Sequence, residues 1–206
     1  MEFEFKGNRI IFNRGLLALD RLVLKFVKIL EKNSIDYVII SGYIAILFGR
    51  SRQTEDVDIF IEEMPFEKFK GFWDELHMQG FWCINASSAE SAFNDYLNHQ
   101  LAIRFALENQ MQPNFELKFP KTKYNKYSIK HKIEVILNNG KLMTSELELQ
   151  IAFKLSLGSE KDFEDAWHLY IVLKEHLDIN LLKNHIKELG VEKRADKVLW
   201  QREKKA

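Results

Sequence analysis

Two stretches decide the fold: IDYVIISG at residues 35–42 and DVDIFI at residues 56–61. The first is rich in β-branched residues and runs directly into Ser41-Gly42, a pattern typical of a strand buried on both faces. The second alternates strictly, so Asp56 and Asp58 should point to the same face of the next strand. Residues 43–48 between them are predicted as a short helix that ends at Gly49.

The end of the first strand is predicted to bind phosphate, and the start of the second strand is predicted to bind a metal ion. A strand that runs from Ser41-Gly42 straight into a helix presents backbone N–H groups to a ligand, and Gly42 lets that ligand approach closely. Asp56 and Asp58 would repel each other unless a cation lay between them. Mg²⁺ prefers such carboxylate oxygens together with substrate phosphates. The pair therefore predicts a magnesium site.

Further charged residues extend this candidate site. A third carboxylate on a neighbouring strand would complete a two-metal site, and either Glu116 or Glu134 has the required alternation. Glu116 is favoured, because it stands between apolar flanks at a position where an inward-facing residue is expected. Arg50 and Arg52, in the loop before Asp56, are candidates for contact with phosphate.

The remaining pattern divides the chain into two parts. Residues 1–144 are predicted as an α/β unit, and residues 145–206 as a helical unit in which no strand pattern occurs. Ser145 and Glu148 have capping-box spacing, which predicts that a helix begins there. Helices are expected at 16–30, 66–79, 145–157, 161–175, 179–189 and 191–203, strands at 81–84, 101–106, 115–119 and 129–137, an edge strand or arm within 1–13, and a loop at 121–128.

Composition excludes several classes of protein. The 206 residues contain 30 Lys+Arg and 30 Asp+Glu, so a net charge of zero gives no bulk signal for nucleic acid. The single cysteine, Cys83, rules out an internal disulfide. No apolar run approaches the ~18 residues that span a bilayer. The start, Met1-Glu2-Phe3-Glu4, lacks the basic segment of a signal peptide, which predicts a cytoplasmic protein without membrane contact.

The order of these motifs resembles the nucleotidyltransferase superfamily, whose signature is a Gly-Gly or Gly-Ser turn, a short helix and then apolar-Asp-apolar-Asp. Here the turn reads Ser-Gly-Tyr. The segment from Arg52 to Asp58 is also similar to the Arg-x-Thr-x-Asp-x-Asp pattern of a narrower branch, the abortive-infection toxins of type IV toxin–antitoxin systems and their archaeal and bacterial relatives. The resemblance implies that Thr54 belongs to the nucleotide site.

That branch also carries a lysine and then a basic-Asp-x-x-Asp motif in a helical C-terminal half. Lys154, followed by Lys161-Asp162-Phe163-Glu164-Asp165, looks like this pair. The resemblance implies that Lys154 contacts nucleotide phosphate and that Asp162 acts as a base. It further implies an α+β fold, with a nucleotidyltransferase-like mixed β-sheet flanked by helices and followed by a C-terminal helical bundle.

The function implied by the resemblance is transfer of a nucleoside monophosphate from a nucleoside triphosphate to an acceptor. Two Mg²⁺ ions on Asp56, Asp58 and Glu116 would assist the transfer. The acceptor is left open among a protein side chain, a tRNA end and a small molecule, and the chain could act as a toxin with an antitoxin partner. The alternative is a catalytically weakened nucleotide-binding or partner-binding module. The bulky Tyr43 in the turn, where it would crowd a triphosphate, favours that alternative.

Overall fold

The structure is a computed structural model that describes residues 3–204. Its strands are β1 (Phe3–Phe5), β2 (Arg9–Phe12), β3 (Tyr37–Ile40), β4 (Asp56–Ile61), β5 (Phe81–Cys83), β6 (Ile103–Leu107), β7 (Asn114–Lys118), β8 (Lys132–Leu137) and β9 (Gly140–Ser145). Its α-helices are α1 (Ala18–Lys32), α2 (Gly42–Leu47), α3 (Phe66–Met78), α4 (Ala89–Ser91), α5 (Lys123–Lys130), α6 (Leu147–Leu157), α7 (Glu160–Leu173), α8 (Ile179–Glu188), α9 (Glu192–Ala195) and α10 (Gln201–Glu203). A π-helical turn (Ala92–Tyr96) and a 3-10 turn (Leu97–His99) follow α4, and a second π-helical turn (Asp196–Trp200) joins α9 to α10. Met1 and Glu2, part of the predicted arm at 1–13, lie outside the described residues.

The nine strands form one mixed sheet in the order β1-β2-β8-β9-β3-β4-β7-β6-β5. At its centre, β3 pairs antiparallel with β4, and β4 pairs parallel with β7. The register sets Asp58 opposite Ile40 on one side and opposite Glu116 on the other. Both residues of the β4–β7 pair therefore project from the same face of the sheet.

The opposite face carries the aromatic core. Phe26 of α1 stacks on Phe115 of β7 with ring centroids 3.9 Å apart, and Phe72 of α3 meets Phe105 of β6 edge to face. All four rings are fully buried. Since side chains alternate along β7, burying Phe115 under α1 directs Glu116 to the other face. Core packing thus decides which face of the sheet bears the carboxylates.

The helical C-terminal part begins with α6 directly after β9 and continues through α7, α8, α9 and α10. The predicted α+β fold, a mixed sheet flanked by helices and followed by a helical part, is confirmed. The division into units 1–144 and 145–206 stays a prediction. Within residues 3–204, no helix is both long and apolar enough to cross a bilayer.

Three local predictions were wrong. Residues 121–128 do not form a loop, because Thr122 and Asn125 form a capping box that starts α5. Strand β9 was not predicted, since its sequence GKLMTS lacks a β-branched run. Ser145 does not cap α6: it is the last residue of β9, and its hydroxyl donates to Gln150 Oε1 at 3.1 Å.

Candidate active site

A cavity of about 290 Å³ opens where the central strands meet α5 and α6. Its wall is formed from β3, β4 and β7 on one side and from the two helices on the other. Helix α5, in the region predicted as a loop, contributes Asn125 and Ser128. The polar residues from the sheet and from α6 are Ser41, Asp58, Lys118, Gln150 and Lys154.

The two predicted aspartates lie at the start of β4 on one face of the sheet, and both are half-buried. Burial raises the pKa of Asp58 above its ordinary value, and the carboxylates of Asp56 and Glu116 raise it further, whereas Lys118 lowers it. The Thr54 hydroxyl donates to the backbone oxygen of Asp56 at 2.8 Å. Thr54 thereby orders the loop that leads into the aspartate pair.

Glu116 lies beside Asp58, but cations already hold its carboxylate. Arg104 Nε is 2.8 Å from Glu116 Oε2, and the Lys118 ammonium contacts Oε1. Burial raises the pKa of Glu116, but Lys118 and Arg104 outweigh this and hold it below its ordinary value. The alternative candidate, Glu134, is on β8, which β9 and β3 separate from β4, and it pairs with Arg9 at 2.6 Å.

These carboxylates fit one divalent cation better than two. Asp56 and Asp58 supply hard oxygen donors on one face, which suits Mg²⁺. Glu116 is neutralised by its two cationic neighbours. Across residues 3–204, no three acidic, His or Cys side chains come close enough together to hold a metal ion.

The turn at the end of β3 has a strained backbone and is held by hydrogen bonds from Gln150. Ser41 has φ of +64° and ψ of −129°, a conformation that favours glycine. The buried Gln150 of α6 holds it from both sides: Oε1 accepts from Ser41 N at 3.1 Å, and Nε2 donates to Ser41 O at 3.2 Å. The Ser41 amide, predicted to bind phosphate, is thus engaged by a side chain.

We expect Ser41→Gly to be more stable than Ser41→Ala by about 1 kcal/mol, because both lack the hydroxyl and only alanine retains the strain. Chemical denaturation of the two variants measures this difference. The same pair at Ser51, whose φ is not positive, serves as the control, and there alanine should be equal or more stable. A less stable glycine variant at position 41 would show that the turn is not strained.

Tyr43 does not crowd the cavity, so that prediction was wrong. Its side chain is fully buried, and its hydroxyl donates to Asp20 Oδ1 at 2.8 Å. Burial, together with the neighbouring Asp20 carboxylate, raises the pKa of Tyr43 well above its ordinary value. Helix α2 turns this residue into the core, which removes the observation that favoured a weakened binding module.

Gly42 makes room for an arginine. A Cβ at position 42 would collide with the guanidinium of Arg52 and would lie 3.3 Å from Thr54 Oγ1. The turn and the Arg52–Thr54 loop therefore pack directly against each other. The missing side chain at Gly42 thus allows a close contact within the protein, in addition to the ligand approach predicted from the sequence.

A buried ion cluster lies behind the cavity, and Asp165 of α7 is its centre. Asp165 Oδ1 lies 2.7 Å from Arg50 Nε and 3.2 Å from Arg52 Nε, and Oδ2 lies 3.0 Å from Lys154 Nζ. The two guanidinium contacts have ion-pair distances without hydrogen-bond alignment. Asp165 is 0% exposed. Arg50 and Arg52, predicted to meet phosphate, are thus engaged by a carboxylate in this structure.

Asp162 completes this cluster. It accepts a hydrogen bond from Lys154 Nζ at 2.8 Å and another from the Ser159 hydroxyl at 2.6 Å. Burial raises the pKa of Asp162, but these two partners outweigh it and hold the value below the ordinary one. A carboxylate with a low pKa accepts a proton poorly, so this geometry favours a role in positioning Lys154 over the predicted role as a base.

Lys154 is the member of the cluster that reaches the cavity. It is only 3% exposed, although most lysines on helices lie at the surface. It stands between the two carboxylates of α7 and the cavity that Asp58 also lines. The structure therefore brings Ser41, Asp58 and Lys154, three of the predicted site residues, to one cavity.

Two solved structures share this fold, and one of them is of a nucleotidyltransferase-like protein. An antigenic nucleotidyltransferase-like protein from Paracoccidioides brasiliensis superposes with a TM-score of 0.52 at 18% identity, covering 85% of this chain and 88% of that one. The antibiotic-resistance factor ANT(2'')-Ia superposes with a TM-score of 0.56 at 10% identity, covering 87% of this chain and 96% of that one. No protein-family model and no curated protein sequence matches the chain.

At such low identities, the likeness shows the fold and leaves residue roles to the chemistry of the site. Sequence reasoning missed Lys118 and Gln150. Lys118 follows Glu116 by two residues, a spacing that puts both on one face of a strand. Gln150 is a polar residue inside the apolar run of α6, and it is buried. Both positions could be read from the sequence. The sequence could not show that Lys118 contacts Asp58 and Glu116, or that Gln150 contacts Ser41.

Proposed function

We propose that this protein transfers a nucleoside monophosphate from a nucleoside triphosphate to an acceptor. One observation carries the proposal: Asp58, Ser41 and Lys154, which come from three separate elements, line one cavity. A half-buried acidic group and a buried ammonium at one cavity suit a triphosphate that is bound together with a divalent cation. The nucleotidyltransferase-like fold supports the same conclusion.

The residues of the chain have separate roles in this proposal. Asp56 and Asp58 would hold the divalent cation, which neutralises phosphate charge when bound. Lys154, oriented by Asp162 and Asp165, would bind a phosphate oxygen. In the reaction an acceptor hydroxyl loses its proton to solvent and its oxygen forms a bond to the α-phosphorus. The bond between the α-phosphorus and the oxygen that bridges to the β-phosphate breaks, and pyrophosphate leaves.

Growth inhibition is part of the proposal, because the Arg52–Asp58 segment and the Lys154–Asp162–Asp165 set resemble those of the abortive-infection toxins. In the structure the two motifs meet at Asp165, which contacts both Arg52 and Lys154. The acceptor would then be a protein or tRNA of the cell, and a separate antitoxin protein would restrain the activity. Slower growth on expression of the intact chain, and normal growth with Asp56→Ala/Asp58→Ala, would support it.

The transferase activity is tested by incubating the protein with each α-³²P-labelled nucleoside triphosphate, a cell extract and Mg²⁺. We expect label to appear in protein, RNA or a small molecule with at least one nucleotide. Chelation by EDTA should abolish the labelling, because the triphosphate and the aspartate pair repel each other without a cation.

The control is the Asp56→Ala/Asp58→Ala variant, after its folding has been checked by circular dichroism. Labelling that persists in this variant or in EDTA would contradict the proposed site. Absence of label with all nucleotides would contradict the transfer reaction itself. Fractionation of the labelled extract then identifies the acceptor class.

A further inference from the structure

A lysine lies beside the carboxylates, and the backbone puts it there. In the parallel pairing of β4 and β7, Asp58 is opposite Glu116 and Phe60 is opposite Lys118. Lys118 is therefore the diagonal neighbour of Asp58 on the same face of the sheet. Its Nζ is 3.7 Å from Asp58 Oδ1 and contacts Glu116 Oε1 directly. This position follows from strand register as well as from side-chain conformation.

The other side of Glu116 is fixed in the same way. Arg104 of β6 is directly opposite Glu116 in an antiparallel pair, and its Nε reaches Oε2 at 2.8 Å. Each oxygen of the carboxylate thus has its own cation. A metal ion bound to Glu116 would therefore lie close to Lys118 or Arg104, and the positive charges of these side chains oppose its binding.

Local charge points to the same conclusion. Asp56, Asp58 and Glu116 carry three negative charges on this face of the sheet. Lys118 and Arg104, which contact Asp58 and Glu116, carry two positive charges, so this group of five has one net negative charge before any metal binds. One divalent cation would turn this local charge to plus one, which suits a triphosphate. A second divalent cation would have to approach Lys118 closely and would meet electrostatic repulsion.

We infer that Lys118 takes the place of one of the two divalent cations, so that this site binds a single ion at Asp56 and Asp58. The inference rests on the proposed function and sets the number of divalent cations in that site at one. Lys118 is a third exposed and lines the cavity, and its ammonium has three donors, so it can contact a phosphate oxygen while it keeps Glu116 as a partner. The Lys118 ammonium would supply positive charge and hydrogen-bond donors, whereas a metal ion would supply exchangeable coordination sites.

The test measures the number of Mn²⁺ ions bound, by electron paramagnetic resonance of the free ion during titration of the intact protein without nucleotide. We expect one ion for the wild type and two for Lys118→Met, since methionine keeps much of the side-chain length without the charge. Lys126→Met is the matched control, because Lys126 pairs with Glu63 at the surface, and it should bind one ion. Thermal unfolding verifies that all three proteins are folded.

The outcomes separate this inference from the proposed function. Two ions in the wild type, or one ion in Lys118→Met, would overturn the role of Lys118 and leave the proposed transferase intact. No ion in either protein would overturn the role of Lys118 and would show that the aspartate pair does not hold a cation before nucleotide binds. Binding that the Asp56→Ala/Asp58→Ala variant retains would overturn the assignment of the ion to the aspartate pair.

Discussion

Replacing Asp58 with asparagine is expected to lower the rate of nucleotidyl transfer about 10³-fold, which corresponds to about 4 kcal/mol of lost transition-state stabilisation. Asparagine keeps the shape of the side chain and its neighbours but removes the negative charge that the divalent cation needs. Because burial raises the pKa of Asp58, its charge is costly to keep in the folded protein. The variant should therefore be at least as stable as the wild type. Steady-state transfer rates and chemical denaturation measure the two effects.

Asp74→Asn is the matched control, because Asp74 forms a surface pair with Lys70 along α3, away from the cavity. Its rate should equal that of the wild type. An Asp58→Asn variant that is both unstable and inactive would indicate a structural role for this aspartate. One that retains the wild-type rate would remove it from the site.

Replacing Asp165 with asparagine is expected to lower the free energy of unfolding by about 3 to 5 kcal/mol, because it leaves buried cations without their counter-charge. Arg50, Arg52 and Lys154 all contact this one carboxylate, which is fully buried. The isosteric amide can still accept a hydrogen bond, but it carries no charge. Urea denaturation followed by circular dichroism measures the loss.

Glu164→Gln changes the adjacent acidic residue and serves as the control. Glu164 pairs with Arg202 where both side chains are more than a third exposed, so its loss should cost less than about 1 kcal/mol. Similar losses in the two variants would mean that the buried cluster contributes no more than a surface ion pair. We also expect Asp165→Asn to weaken nucleotide binding, because Lys154 would lose one of its two orienting carboxylates.

The central strands could be predicted from the sequence because their patterns are local. The β-branched residues of β3 and the strict alternation of β4 identified both strands and the shared face of Asp56 and Asp58. Strand β9 and helix α5 were harder to predict. Strand β9 has no β-branched run, and α5 contains mostly Lys, Tyr and Ser, so neither segment shows a clear apolar period.

The partners within the site could not be predicted, because they depend on contacts between distant segments. From the sequence, Arg52 was predicted to contact phosphate. The packing of α7, which the sequence does not reveal, brings Asp165 to Arg52. Tyr43 looked like an obstacle to the ligand, and only the rotation of α2 directs it to Asp20. Glu116 and Lys118 were both visible on one strand, but the register with β4 decides that Lys118 also faces Asp58.

The strand order has a consequence for synthesis on the ribosome. Among residues 3–204, the β1–β2 hairpin joins the sheet through β8, as in the pairing of Ile10 with Val135. These two early strands can therefore pair with the sheet only after a strand much later in the chain has emerged. Gln150 and Asp165, which hold the Ser41 turn and the arginines, emerge later still. A nascent chain therefore exposes the Asp56–Asp58 strand well before the groups that order its surroundings. We expect the cavity to acquire its final shape only after α7, which carries Asp165, has emerged from the ribosome.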